Sequence, residues 1–458
     1  MKTKIALFPL VLLIVAAIDS IRTLPTTAYF GSALIFFYLG AALLFLIPVA
    51  FVSAEFSARF PEEGGIFHWI KAAFSEKVGL LGVWLQWINT MVWYPTMLVF
   101  IAGTATYLIH PALAYNKFFL LFFSLFIFWG LTLLNVKGIR VSVRVNSVCS
   151  TIGTLLPMFF LIALGFFWIT SGQPMAITFS AKDLIPTFDL MDNSGALVTI
   201  MASFLGMELA GVHVCDIKNP QRNFPKAIGY SVLILFSTLI FGSLAVAIVT
   251  PKQDIHFVDG IMQTFTTFFN ALHMPYLIPI FALLIVIGST GGSINWLLSP
   301  AKGLLQVAEH GFLPPALAVK NAHGVPVRIL MLQALIVSLF SSALVFVQNV
   351  NAYYWFLMAL STGLYMLMYI LLFLAALKLK RPQAGFRIPH GLRTASCLAG
   401  LSACLLTLFI GFLPPAGTAV GSTPLYVTLI ASGFLLMLLP VLACWAYKKR
   451  RVALSVIK

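Results

Sequence analysis

Apolar stretches of about 20 residues, parted by short polar segments, recur along the whole 458-residue chain. An α-helix rises about 1.5 Å per residue, so such a stretch covers the roughly 30 Å of hydrocarbon in a bilayer. The pattern predicts twelve spans, over residues 6–29, 31–58, 79–110, 118–136, 142–171, 194–214, 225–250, 274–307, 328–347, 353–378, 394–413 and 424–446. In lipid each span must satisfy its own backbone, so the expected fold is an all-α polytopic membrane protein. The longest polar connections, 172–193 and 251–273, are too short to hold a core of their own, and 258–272 has the mild amphipathicity of a surface helix.

Composition agrees: 60% of residues are hydrophobic and 9% charged, with mean hydropathy +1.00. A net charge of +15 would suggest nucleic acid in a soluble protein. Its distribution argues otherwise. Counted by alternate loops, 24 of the 28 Lys and Arg fall on one side, only Lys117, Lys182 and Lys252 on the other, and Arg22 within the first span. That bias predicts both termini in the cytoplasm of a cell inner (plasma) membrane protein, with lipid and no nucleic acid as its surroundings. Lys2 and Lys4 before an apolar run, with Val15-Ala16-Ala17, resemble a signal peptide; a retained first span keeps the loop parity. Cys149, Cys215, Cys397, Cys404 and Cys444 form no CxxC pair, and the eight histidines have no ligand spacing, so neither metal nor cofactor is expected.

Two spans are interrupted. The first is interrupted by Asp19-Ser20-Ile21-Arg22-Thr23-Leu24-Pro25, the sixth by Gly206-Met207-Glu208-Leu209-Ala210-Gly211, in a glycine-broken stretch that begins Ser203-Phe204-Leu205. They are the first elements of two five-span halves, about 6–171 and 194–378, followed by two further spans at about 394–446 in a single transmembrane domain. Breaks at matching positions of inverted halves mark a transporter's substrate site, where free N–H and C=O groups meet the ligand.

Further segments carry a family resemblance. They include Ile47-Pro48-Val49-Ala50, Pro61-Glu62-Glu63-Gly64-Gly65-Ile66-Phe67, Gly206-Met207-Glu208, Asn219-Pro220, Met262-Gln263-Thr264-Phe265-Thr266, Ser299-Pro300-Ala301-Lys302-Gly303-Leu304 and Gly324-Val325-Pro326-Val327. In order and across almost the whole chain, these resemble the amino acid–polyamine–organocation superfamily, and within it the glutamate/GABA antiporters. The resemblance implies a LeuT-type five-plus-five inverted repeat plus two spans, alternating access, and exchange of amino acids or their decarboxylated amines. Asp19 and Arg22 depart from it, since many superfamily members have a small Gly-Ser-Gly break there.

The candidate substrate contacts are Asp19, Ser20, Ile21, Arg22, Ser203, Gly206, Met207 and Glu208 at the two breaks, with Tyr94 in span 3 and Ser361 in span 10. Glu208 is the proton-coupling candidate, because an ionisable group in a span marks a functional site; the alternative is a carboxyl that only braces the break. Asp19 and Arg22, spaced i,i+3, either pair with each other or hold a substrate ammonium and carboxylate. Tyr94 is either a ligand contact or part of a packing stripe with Trp84, Trp87 and Trp93. Gly288-Ser289-Thr290-Gly291-Gly292 lacks the ending of a phosphate loop and reads as close packing or a bend. Glu55, Glu62 and Glu63 sit at a basic edge and read as ion-pair partners.

No enzyme is expected, because acids, bases and metal ligands are not clustered. The sequence reads as a secondary amino acid antiporter, with proton-coupled symport as the alternative. Some superfamily members couple through a lysine in span 5, where this chain has only Arg144 at the cytoplasmic edge. Asp19, Arg22 and Glu208 sum to zero or −1, which favours a net-neutral zwitterion as substrate.

Overall fold

The structure, a computed structural model, describes residues 5–60, 65–137, 148–149, 151–186, 190–347, 349–382, 385–414 and 422–457. Lys2, Lys4, Glu62, Glu63, Gly64, Arg140, Arg144 and the start of the fifth expected span lie outside the described residues.

Helices run α1 (Leu7–Ile18), α2 (Leu24–Ala28), α3 (Gly31–Arg59), α4 (Ile66–Ala73), α5 (Glu76–Ala105), α6 (Lys117–Val136), α7 (Thr151–Thr170) and α8 (Leu190–Ala202). They continue as α9 (Pro220–Val249), α10 (Gly260–Ala271), α11 (Leu277–Glu309), α12 (Val327–Ser342), α13 (Val350–Lys378), α14 (His390–Gly411) and α15 (Thr423–Ile457). Among the described residues there is no strand, only one isolated parallel bridge between Ile5 and Ile217. Among the described residues, eleven helical segments are long and apolar enough to cross a membrane. The sixth expected span, 194–214, is the exception: it is divided into α8, a turn over 203–208 and a 3-10 helix, Leu209–Asp216.

Burial sorts the helices. The span from Glu76 is 83% buried and that from Val350 78%, so α5 and α13 form the centre; the last span, at 22%, is peripheral. Outer faces are apolar, with Phe126 75% and Leu339 73% exposed, as lipid-facing positions require. Helix α10 lies within 258–272, but Ile261, Met262, Phe265 and Phe269 on it are fully buried. Its opposite face carries the half-buried Gln263 and Thr267 and the exposed Asn270, so it is an amphipathic helix with its apolar face packed inward.

Close crossings use glycine. A Cβ on Gly288 would meet the Gly153 carbonyl carbon at 2.1 Å, so α7 and α11 touch backbone to backbone. The close-packing reading of Gly288–Gly292 accounts for this contact. At the basic edge, Arg393 Nε lies 2.8 Å from Glu55 Oε1, and Ile388 N–H donates to Glu55 Oε2 at 3.2 Å. The ion-pair reading of Glu55 is thus met by an arginine of α14.

Candidate substrate site

The first break begins where α1 ends. Asp19 caps that helix, its N–H bonding Val15 C=O at 2.7 Å, and then turns extended with ψ 117°. Ser20 is extended too, at φ −138° and ψ 111°. The chain resumes as a 3-10 turn over Ile21–Thr23 and then α2, where Pro25 fits because the first helical turn needs no N–H from it.

The second break follows α8. Gly206 adopts φ +105°, and a Cβ there would lie 2.9 Å from Trp296 Cζ2. Both the backbone angle and the approach of the indole require glycine. The two broken segments are tied at their outer ends to each other: Ile5 N–H donates to Asp216 C=O at 2.7 Å, and Lys218 N–H to Ile5 C=O at 2.9 Å.

Between the breaks lies a cavity lined by Asp19, Ser20, Ile21, Arg22 and Thr23 from the first, Ser203 and Leu205 from the second, and Trp93, Met97, Ser289 and Trp296 from α5 and α11. Asp19 and Arg22 do not pair. Asp19 Oδ2 accepts from Thr238 Oγ1 of α9 at 3.0 Å. Arg22 Nη1 donates to Thr96 Oγ1 of α5 at 3.0 Å and to Tyr354 OH of α13 at 2.8 Å. Its guanidinium stands 5.4 Å from the Trp93 ring centroid and 5.6 Å from that of Tyr354, in the range of cation–π attraction. The extended Ser20 between them removes the shared helix face that i,i+3 spacing assumes.

Gly206, Met207 and Glu208 are not among the lining residues. Glu208 is buried in a polar network instead. Its Oε1 accepts from Tyr365 OH at 2.5 Å and from Gln86 Nε2 at 3.1 Å, and its Oε2 accepts from Tyr369 OH. Gly206 N–H donates to the Tyr369 hydroxyl oxygen at 3.0 Å. The sixth-span break is thereby fastened to α5 and α13.

Tyr94 and Ser361 are likewise absent from the lining. The Tyr94 hydroxyl donates to Ser293 C=O at 2.5 Å, and its ring packs against Phe128. Ser361 Oγ donates to Met358 C=O within its own helix. Ser203 lines the cavity while its hydroxyl donates to Ile200 C=O at 2.7 Å.

The sequence reading had not singled out Trp296 or Tyr369. Trp296 stacks on Trp93 at 5.1 Å, forming one wall. Its signal was a large aromatic just after the small-residue run 288–292; that of Tyr369 was its i+4 spacing from Tyr365. Among the described residues no group of His, Cys, Asp and Glu can hold a metal. The site offers one buried acid, one buried base and aromatic walls, which suits binding of a small dipolar molecule.

Comparison with known proteins agrees with this chemistry. The profile of a family described as amino acid permease matches residues 5–440. An uncharacterised transporter of Legionella pneumophila subsp. pneumophila is 39% identical over 455 residues, covering 98% of this chain and 97% of the relative. A glutamate/gamma-aminobutyrate antiporter of Lactococcus lactis subsp. lactis is 29% identical, covering 98% and 91% respectively. A probable agmatine/putrescine antiporter of the same organism is 21% identical over 83% of this chain.

Proposed function

The chain belongs to the amino acid permease family of the amino acid–polyamine–organocation superfamily, and from that premise we propose that it is an amino acid antiporter of the cell inner membrane. The observation that carries the reading is the cavity between two interrupted spans, walled by Asp19, Arg22, Ser20, Ile21 and Ser203. In this reading, residues 6–171 and 194–378 are inverted five-span halves, 394–446 adds two spans, and both termini are cytoplasmic. The backbone freed at the breaks and the side chains beside it together face the α-carboxylate and α-amine. A rocking or gating motion of one half against the other then alternates access. Gly206 and Met207 shape the second break, and Glu208 is the group through which proton uptake would act on that break, by way of Tyr365 and Tyr369.

The discriminating experiment is counterflow in proteoliposomes. Antiport predicts that uptake of a labelled amino acid needs unlabelled amino acid inside and does not need a pH gradient. Accumulation in empty vesicles driven by external acid would replace antiport with proton symport, and absence of exchange for every amino acid would end the transport reading.

A further inference from the structure

Two opposite charges lining one cavity without touching is an unusual arrangement. A buried charge is costly unless paired and hydrogen-bonded. Asp19 is 5% exposed and Arg22 2%, yet their fixed partners are a threonine on one side and a threonine and a tyrosine on the other, all neutral. Each also keeps a buried polar atom with no hydrogen-bond partner, Oδ1 of Asp19 and Nε of Arg22. Glu208 does not line this cavity, and both its oxygens are engaged elsewhere. The charges that face a ligand are therefore one of each sign.

We propose that Asp19 and Arg22 are a two-ended specificity pair, Asp19 receiving the substrate ammonium and Arg22 its carboxylate. This rests on the amino acid transport reading. The free oxygen of Asp19 accepts an N–H of the ammonium, and the guanidinium donates to the carboxylate with charge assistance. Hydroxyls from α9, α5 and α13 engage the two side chains separately, so they do not pair with each other. A molecule lacking either charged group leaves a buried partner unmatched, and such sites reject truncated analogues strongly. A second carboxylate finds no second cation among the lining residues. The pair therefore selects net-neutral amino acids.

The test compares GABA with butyrate and butylamine, and alanine with propionate and ethylamine, as ligands of the purified full chain and as competitors in counterflow. Binding is read as ligand-induced thermal stabilisation, which needs no transport. The intact amino acid of at least one set should bind about tenfold or more tighter than both its truncated analogues, a threshold well below the discrimination that buried polar groups left unpaired can give. Arg22→Gln should erase the advantage over the amine while keeping that over the acid, and Asp19→Asn should do the reverse. Equal binding of intact and truncated ligands in the unmodified protein overturns the proposal even if neither variant folds. So do unchanged ratios in both folded variants, or tighter binding of ionised glutamate than of either neutral amino acid. Selective binding without counterflow would leave the pair standing and remove the transport reading; counterflow without selectivity would do the opposite.

Discussion

Tyr369 donates its only hydroxyl proton to Glu208 Oε2 while its oxygen accepts the Gly206 N–H at 3.0 Å. Tyr365 and Gln86 supply the other carboxyl oxygen, and Gln86 also reaches the Tyr365 hydroxyl at 3.3 Å. Loss of Tyr369 thus strips two buried groups at once, Glu208 Oε2 and Gly206 N–H, whereas loss of Tyr365 leaves Gln86 on Oε1. An unsatisfied buried group costs roughly 1–3 kcal/mol. Tyr369→Phe should therefore lower the thermal midpoint of the purified protein more than Tyr365→Phe. A larger loss in Tyr365→Phe would show that the donor assignment is wrong.

The same network gives a pH prediction. Every contact to Glu208 comes from a donor, so adding a proton to the carboxyl sets one proton against a donor and loosens the sixth-span break from α13. Glu208→Gln fixes a neutral side chain and should flatten the pH dependence of exchange over about pH 5 to pH 8 while sparing expression. If the variant's rates track those of the unmodified protein across that range, Glu208 only braces the break.

Gly206→Ala makes a backbone prediction. A non-glycine residue at φ +105° costs roughly 1–3 kcal/mol, and its methyl would collide with the Trp296 ring that walls the cavity. Exchange should fall more steeply than thermal stability. Normal exchange in Gly206→Ala would mean that the break tolerates a different backbone path.

The sequence made the spans legible because membrane helices need long apolar runs, and it marked both breaks through Gly206 and the polar run from Asp19. It could not show where side chains point across a break. Spacing i,i+3 joined Asp19 to Arg22 only if the segment stayed helical, and the extended Ser20 sends one toward α9 and the other toward α5 and α13. Tyr94 and Trp93 are neighbours on α5, yet only Trp93 lines the cavity, because successive helical residues project about 100° apart. Glu208 stood out as a buried charge, but its tyrosine partners lie more than 150 residues away, beyond any local pattern.

Glu55 and Arg393 tie α3 to α14 at the basic edge of the bundle. Their side chains are 2% and 9% exposed, and Arg393 Nη1 also donates to Leu379 C=O at 3.0 Å. Removing one partner of a buried pair costs roughly 3–5 kcal/mol because the other charge is stranded, while replacing both with apolar groups can be near neutral. Glu55→Leu and Arg393→Met should each destabilise strongly, and the double variant should be more stable than either. Additive losses in thermal unfolding would mean that the pair is held open to water.

The connection before α10 carries a pH-sensitive contact on the face opposite the basic edge. His256 Nδ1 lies 3.3 Å from Asp259 Oδ1, and Tyr107 OH donates to Asp259 Oδ2 at 2.9 Å, which pins the 251–259 segment to the end of the third span. Packing reinforces it, since Val258 sits so close to Gly103 that a Cβ there would approach within 2.6 Å. The hydrogen bond to Asp259 raises the His256 pKa above its usual 6.5, more than partial burial lowers it. A raised folded-state pKa stabilises the charged form, so the contribution is fully present below the unfolded value and fades as pH climbs through the folded one. The His256 side chain is 44% exposed, so the effect is modest, of the order of a surface pair at about 1 kcal/mol or less. His256→Gln should therefore lower the thermal midpoint at about pH 5.5 and leave it unchanged at about pH 8, with faster amide exchange over 251–259 appearing only at the lower pH. A deficit that grew with rising pH would reverse the sign of the linkage and remove His256 as the fastening of this segment.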